Sequence, residues 1–136
     1  MGFSNLKTLI IPVSTAVEAT PADVWTWIVE HPMRIRDVGV LVSVLTAIDT
    51  TDMVASIDAV INGAARDEKG TMTITDAVAV GTEIVASEDY TSWESFEVSE
   101  GDTLYFEHKT AGADAGTEAG DYYFILYYEN IADGQA

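Results

Sequence analysis

The chain has 136 residues, 48% of them apolar, which suits one domain around a single core and excludes global disorder. Its 23 acidic and 6 basic residues leave a net charge of −17, which argues against nucleic-acid binding by phosphate neutralisation and against docking on an anionic membrane. The absence of cysteine excludes disulfide staples, thiolate metal sites and cysteine nucleophiles together. So acidic a surface reads as a solubility device in salty surroundings or as the match for a partner with a basic face. No apolar run reaches the roughly 20 residues of a membrane-spanning helix. Met1 to Lys7 lack the marks of a secretion signal, so synthesis and folding in the cytoplasm are expected.

In chain order, residues 1–19 read as an N-terminal arm and connector. Leu6 to Ile11 is strand-like and stops at Pro12, which cannot donate in a ladder. The arm can pair with its own sheet or with a neighbour's. Thr20-Pro21-Ala22-Asp23 carries a helix-start pattern, but Val24-Trp25-Thr26-Trp27-Ile28-Val29 is dense in strand formers, and a strand is favoured. Arg34 to Ala47 is the clearest long strand, with Val38, Val40, Val42 and Val44 on one face and Ile35, Leu41 and Leu45 on the other. Gly39 inside it signals a bulge or a close approach.

Asp49 to Asp52 reads as a turn, Met53 to Ile61 as a strand and Asn62-Gly63 as a second turn. Ala64 to Lys69 reads as a charged loop, and Gly70 to Thr75 as a strand with Met72 and Ile74 inward. Gly81 is a break, and Glu83 to Ser87 a short strand. Trp93–Ser99 and Thr103–His108 flank Glu100-Gly101-Asp102, which predicts a hairpin or a sharp corner with Phe96, Val98, Leu104 and Phe106 towards the core. Ala111 to Gly120 reads as a flexible loop and residues 131–136 as a frayed tail. The sandwich domain is thus bounded at 20–130. About eight strands at regular spacing, without βαβ alternation, predict an all-β sandwich or barrel.

The last strand, Asp121 to Glu129, is apolar on both sides. Tyr122, Phe124, Leu126 and Tyr128 share one face; Tyr123, Ile125 and Tyr127 share the other. A strand on the outside of a monomeric sandwich alternates apolar with polar residues, so both faces of this one are expected to be covered. The covers are the domain's own core on one side and a loop, the arm or a neighbouring subunit on the other.

Chemistry is narrowed mostly by elimination. His31 and His108 have no partner motif, and nucleophile-elbow, phosphate-loop and dinucleotide patterns are absent from the sequence. No catalytic residue, cofactor or metal is therefore assigned. Acidic clusters at Asp49/Asp52, Glu88/Asp89 and Asp114/Glu118/Asp121 do not match a calcium loop and read as solvated acids. Trp25, Trp27, Trp93 and the tyrosines read as core or interface residues, with a sugar-stacking platform as the alternative. Arg34, Arg36 and Arg66 are expected to pair with carboxylates.

Three stretches carry a family resemblance: Pro32-Met33-Arg34-Ile35-Arg36-Asp37-Val38-Gly39-Val40 leading into the Val-rich strand, Phe96 to Phe106 around the Gly-Asp corner, and the small-residue loop before the last strand. Over roughly residues 30–130 the pattern resembles small jelly-roll proteins on the virions of tailed bacteriophages, above all capsid decoration (cement) proteins. The resemblance implies a jelly-roll-like sandwich, no catalytic residues, and a homotrimer on the outer capsid surface that ties neighbouring capsomers of the major capsid protein together. An arm reaching a neighbour is implied for residues 1–13. The expected oligomer contact uses Leu9, Ile11, Tyr123, Ile125, Tyr127, Arg34 and Arg36. Two other classes stay open: a receptor- or carbohydrate-binding module of tail-fibre type, and a hydrolase with a carboxylate pair.

Overall fold

A computed structural model describes residues 6–15, 22–47, 53–75, 78–110 and 119–131. It is an all-β sandwich with one short helix, in the order β1 (Leu6–Thr15), β2 (Ala22–Ile28), β3 (Met33–Ala47), β4 (Met53–Val60), β5 (Asp67–Ile74), β6 (Glu83–Val85), α1 (Ala86–Asp89), β7 (Phe96–Val98), β8 (Thr103–Thr110) and β9 (Ala119–Asn130). The first sheet runs β1-β9-β3-β6, with β7 also paired to β3; the second runs β2-β8-β4-β5. The early strands alternate between sheets, and every pairing is antiparallel. This is the strand order of a jelly roll. One strand position is split between β6, against Gly39–Leu41 of β3, and β7, against Met33–Ile35.

The strand expected from Val24–Val29 is present as Ala22–Ile28, and Trp25 and Trp27 lie opposite Phe106 and Leu104 of β8. β1 pairs with the chain's own β9, the first of the two possibilities the arm left open. Its Ile11 and Val13 belong to the core, so β1 is an integral edge strand of the sandwich. The turn at 49–52, most of the connector at 14–19 and of the loop at 111–120, and residues 132–136 of the tail lie outside the described residues.

Four local readings change. Ile35 is fully buried on the same side as Val38, because the β3–β9 register shifts between Ile35 and Asp37. The bulge inserts a residue, so an odd spacing brings both side chains inward. Gly39, by contrast, marks the close approach that was one of its two readings, a Cβ there lying 2.7 Å from Glu83 Oε2, whereas β1 does not stop at Pro12 but runs on to Thr15 with Pro12 opposite Tyr123. Asp67 to Lys69 belong to β5, not to a loop. Ala86 and Ser87, expected to continue a strand from Glu83, belong instead to one helical turn over 86–89, in which Ser87 N–H and Oγ–H donate to Asp37 at 3.1 and 2.5 Å.

The core lies between β8 and β9. Leu104 and Phe106 face Tyr122, Phe124 and Leu126, all fully or almost fully buried. Ring contacts run from Trp25 to Phe106 (5.7 Å), Phe124 (5.3 Å), Tyr122 (5.5 Å) and His108 (5.9 Å). His108 Nδ1 and Tyr122 OH share a 2.9 Å hydrogen bond, and burial pushes the Tyr122 phenol up from its ordinary range. Glu100-Gly101-Asp102 is a corner, not a hairpin, since β7 and β8 belong to different sheets. Asp102 is buried there and accepts from Ser99 N–H at 2.8 Å and Asn62 N–H at 2.9 Å. One carboxylate thereby ties the corner to the Asn62-Gly63 turn, where both residues have positive φ.

Candidate functional site

The strongest candidate is the outward face of the first sheet. β9 is its central strand, and the pleat sends Tyr122, Phe124 and Leu126 into the core. Tyr123, Ile125 and Tyr127 therefore point away from it. Registers assemble the rest of the face in rows. Thr8 lies beside Tyr127 and Asp37; Ile10 beside Ile125, Gly39 and Val85; Pro12 beside Tyr123, Leu41 and Glu83. The last two rows form an apolar band across β1, β9 and β3, with Val85 of β6 at its end. Ile10 is 57% exposed and Tyr123 37%, whereas Ile125 between them is 8% exposed. A hollow of about 220 Å³ opens beside Pro12, Tyr123, Ser43 and Asp121.

Fixed polar groups border the band. Arg34 donates to Glu97 at 2.6 Å and to Glu129 at 3.1 Å, and Arg36 donates to Glu129 at 2.9 Å. The Glu97 hydrogen bond is the main cause that raises the Arg34 guanidinium. Tyr127 OH donates to Glu83, whose side chain crosses Gly39 to reach it. Desolvation first, then Glu83 and Asp37, pushes the Tyr127 phenol up to about 12.

The residues expected at an oligomer contact divide accordingly. Tyr123, Ile125 and Tyr127 share the outward face. Arg34 and Arg36 are held at its rim in ion pairs within the chain. Leu9 and Ile11 point the other way: Ile11 is in the core and Leu9 packs against it. The exposed partners on β1 are Leu6, Ile10 and Pro12. They escaped the sequence reading because Leu9-Ile10-Ile11 is apolar throughout, so β1 has no visible phase until paired with β9.

The opposite outer face is built around Arg66. It donates to both oxygens of Asp23 (2.6 and 3.1 Å) and to Asp58 (2.7 Å), and lies 4.0 Å from the centre of the Tyr105 ring. Glu107 stands 3.7 Å from the same guanidinium and accepts from Ser56 at 3.2 Å. Asp23 most of all, and then Asp58, raise the Arg66 guanidinium against the opposing effect of burial. A second hollow of about 270 Å³ is lined by Tyr90, Phe96, Lys69, Asp67, Glu68 and Glu94 among others.

Trp27 and Trp93 pack against the core, and only Trp25 of the three tryptophans counts among the exposed large apolar residues. No group of three or more metal-ligating side chains occurs among the described residues; Asp49, Asp52, Asp114 and Glu118 lie outside them. Asp89 accepts from Thr73 N–H at 2.7 Å. No known protein-family model and no characterised protein matches this chain.

Proposed function

We propose that the chain is a structural virion protein: a capsid decoration protein that binds the outer capsid surface as a homotrimer and stabilises the shell by contact. The observation that supports this reading is the apolar band of Ile10, Pro12, Leu41, Tyr123 and Ile125 on the outside of a finished sheet. Proteins that work alone rarely present a broad contiguous apolar patch to water, whereas contact proteins do. The residues around the band are held by hydrogen bonds and ion pairs, which suits a rigid docking surface. The major capsid protein is the proposed partner, and the virion exterior the proposed location.

The test is electron microscopy of particles assembled with and without the protein, combined with a heat challenge of both. Regularly spaced density on the shell and a higher rupture temperature are expected. Particles without such density, at saturating protein, would overturn the reading. The alternative, a receptor- or carbohydrate-binding module, draws on the second hollow, where Tyr90 and Phe96 stand beside Ser92, Ser95 and carboxylates. A glycan array reads it directly, and no binding would remove it.

A further inference from the structure

We infer that the edge of β2 is a strand-addition site for an extended, lysine- or arginine-bearing segment of another protein. A sheet edge presents a row of backbone donors and acceptors, and it recruits another strand unless it is blunted. Three of the four edges here are blunted. β1 contains Pro12, which has no N–H to donate. The edge opposite it is divided between β6 and β7, of 3 residues each. β5 is flanked by α1, whose Asp89 takes the Thr73 N–H at 2.7 Å, and a Cβ on Gly70 of β5 would meet the Trp93 ring at 2.9 Å. β2 is the fourth edge, paired to β8 on one side and to no other described strand.

A bulge between Asp23 and Trp25 bends the start of β2, and from Trp25 to Ile28 the register is regular. Val29 N–H donates to Asp102 at 2.8 Å and its carbonyl accepts from Gly101 at 2.8 Å, so the Val29 backbone faces β8. Antiparallel bonding alternates, so Trp27 faces β8 as well, and Thr26 and Ile28 aim N–H and C=O outward. Trp25-Thr26-Trp27-Ile28-Val29 holds no Pro, Gly or charge. Ile28 is 65% exposed, and Trp25 is 38% exposed although its ring packs on the buried Phe106 at 5.7 Å. An added strand would cover both while pairing the outward backbone, which is how extended peptides join sheets. Charge selects the sign of that strand. The charged residues of 22–30 are Asp23 and Glu30, both exposed, and the whole chain carries −17. A basic segment is attracted; a second copy, with the same charge, is repelled. This edge belongs to the other sheet from the Tyr123 band, so the two proposals stand or fall separately.

The experiment is amide hydrogen exchange of the full chain, read by NMR, alone and with blocked synthetic peptides of 7 residues, the length of β2. In the dilute free protein the Thr26 and Ile28 amides should exchange quickly while those of Trp27 and Val29 are protected. A peptide alternating Lys with Val, at millimolar concentration, should slow Thr26 and Ile28 by about tenfold or more. Its Glu/Val counterpart, and a Lys/Val peptide N-methylated at every amide, should not. Thr26→Pro removes an outward N–H and leaves the β2–β8 ladder alone, and Ile28→Lys sets a like charge beside the peptide. Each should weaken Lys/Val binding by about tenfold with unchanged circular dichroism. Protection of Thr26 and Ile28 in the dilute free protein would show the chain covering its own edge and would overturn the inference. So would protection that grows with protein concentration alone, since the occupant would then be a second copy. No protection by the Lys/Val peptide, equal protection by the Glu/Val or methylated peptide, or indifference to both substitutions would overturn it as well.

Discussion

The two outward faces of this sandwich solve opposite problems with the same backbone. On the second sheet, Arg66 lies across β4 and β8 and gathers carboxylates, so Ser56 and Asp58 are buried on a side that would otherwise be wet. On the first sheet the corresponding strands carry Ile10, Leu41, Tyr123 and Ile125, and the charges stand at the rim. The Arg66 face is satisfied within the chain. The Tyr123 face keeps Ile10 and Tyr123 exposed among the described residues. The two faces differ less in backbone than in how far the described residues of the chain itself cover and pair what points outward.

Four substitutions or titrations sharpen that contrast, from largest effect to smallest. Phe106→Ala or Phe124→Ala empties the core beneath both faces, and urea denaturation should show a loss of about 3–5 kcal/mol. Arg66→Met should cost about 2–3 kcal/mol in the same assay, because Asp58 keeps its buried carboxylate and loses its cation. The cost falls below that of a fully enclosed pair because the Arg66 side chain is 34% exposed. The oligomeric mass should not change. Equal stability of Arg66→Met and wild type would show that this face is held by something other than its ion pairs.

Gly39→Ala acts on the other face. The new Cβ would displace the Glu83 carboxylate and break its bond to Tyr127, for about 1 kcal/mol. The smallest effect is a titration. Tyr127 is raised from 10.0 to about 12 in the folded protein, so its contribution to stability is complete below pH 10 and is lost as pH rises towards 12. Absorbance at tyrosinate wavelengths should show it ionising after an ordinary exposed tyrosine. Glu83→Gln should move it part of the way back, since desolvation remains the larger cause.

Much of the fold was legible because its strands alternate. Met72 and Ile74, Ala55 and Ile57, and Leu104 and Phe106 all turn inward as the period of two requires. Ile35 broke the pattern for a reason that periodicity does not show: a bulge consumes one residue and reverses the phase behind it. The helical turn at 86–89 follows directly on the strand formers Ile84 and Val85, and its Ser87 bonds to Asp37, 50 residues distant in sequence. The candidate surface was half legible. Tyr123, Ile125 and Tyr127 followed from the two-sided apolar character of β9. Ile10, Pro12 and Leu41 follow only from the registers that set β1 and β3 beside it, and register is a property of pairing, not of either strand alone.

The position of β9 also has a consequence for biosynthesis. It lies between β1 and β3, strands translated near the start of the chain. While the polypeptide is still emerging from the ribosome, those two strands have a gap between them as wide as the missing one, and Val38, Val40 and Ile11 lack their central neighbour. Closure is therefore a late event spanning nearly the whole length of the chain, a topology associated with slow folding. Ribosome-stalled chains ending before residue 119 should accordingly be protease-sensitive and bound by holdases, and emergence of the 12 residues of β9 should convert them to a resistant form.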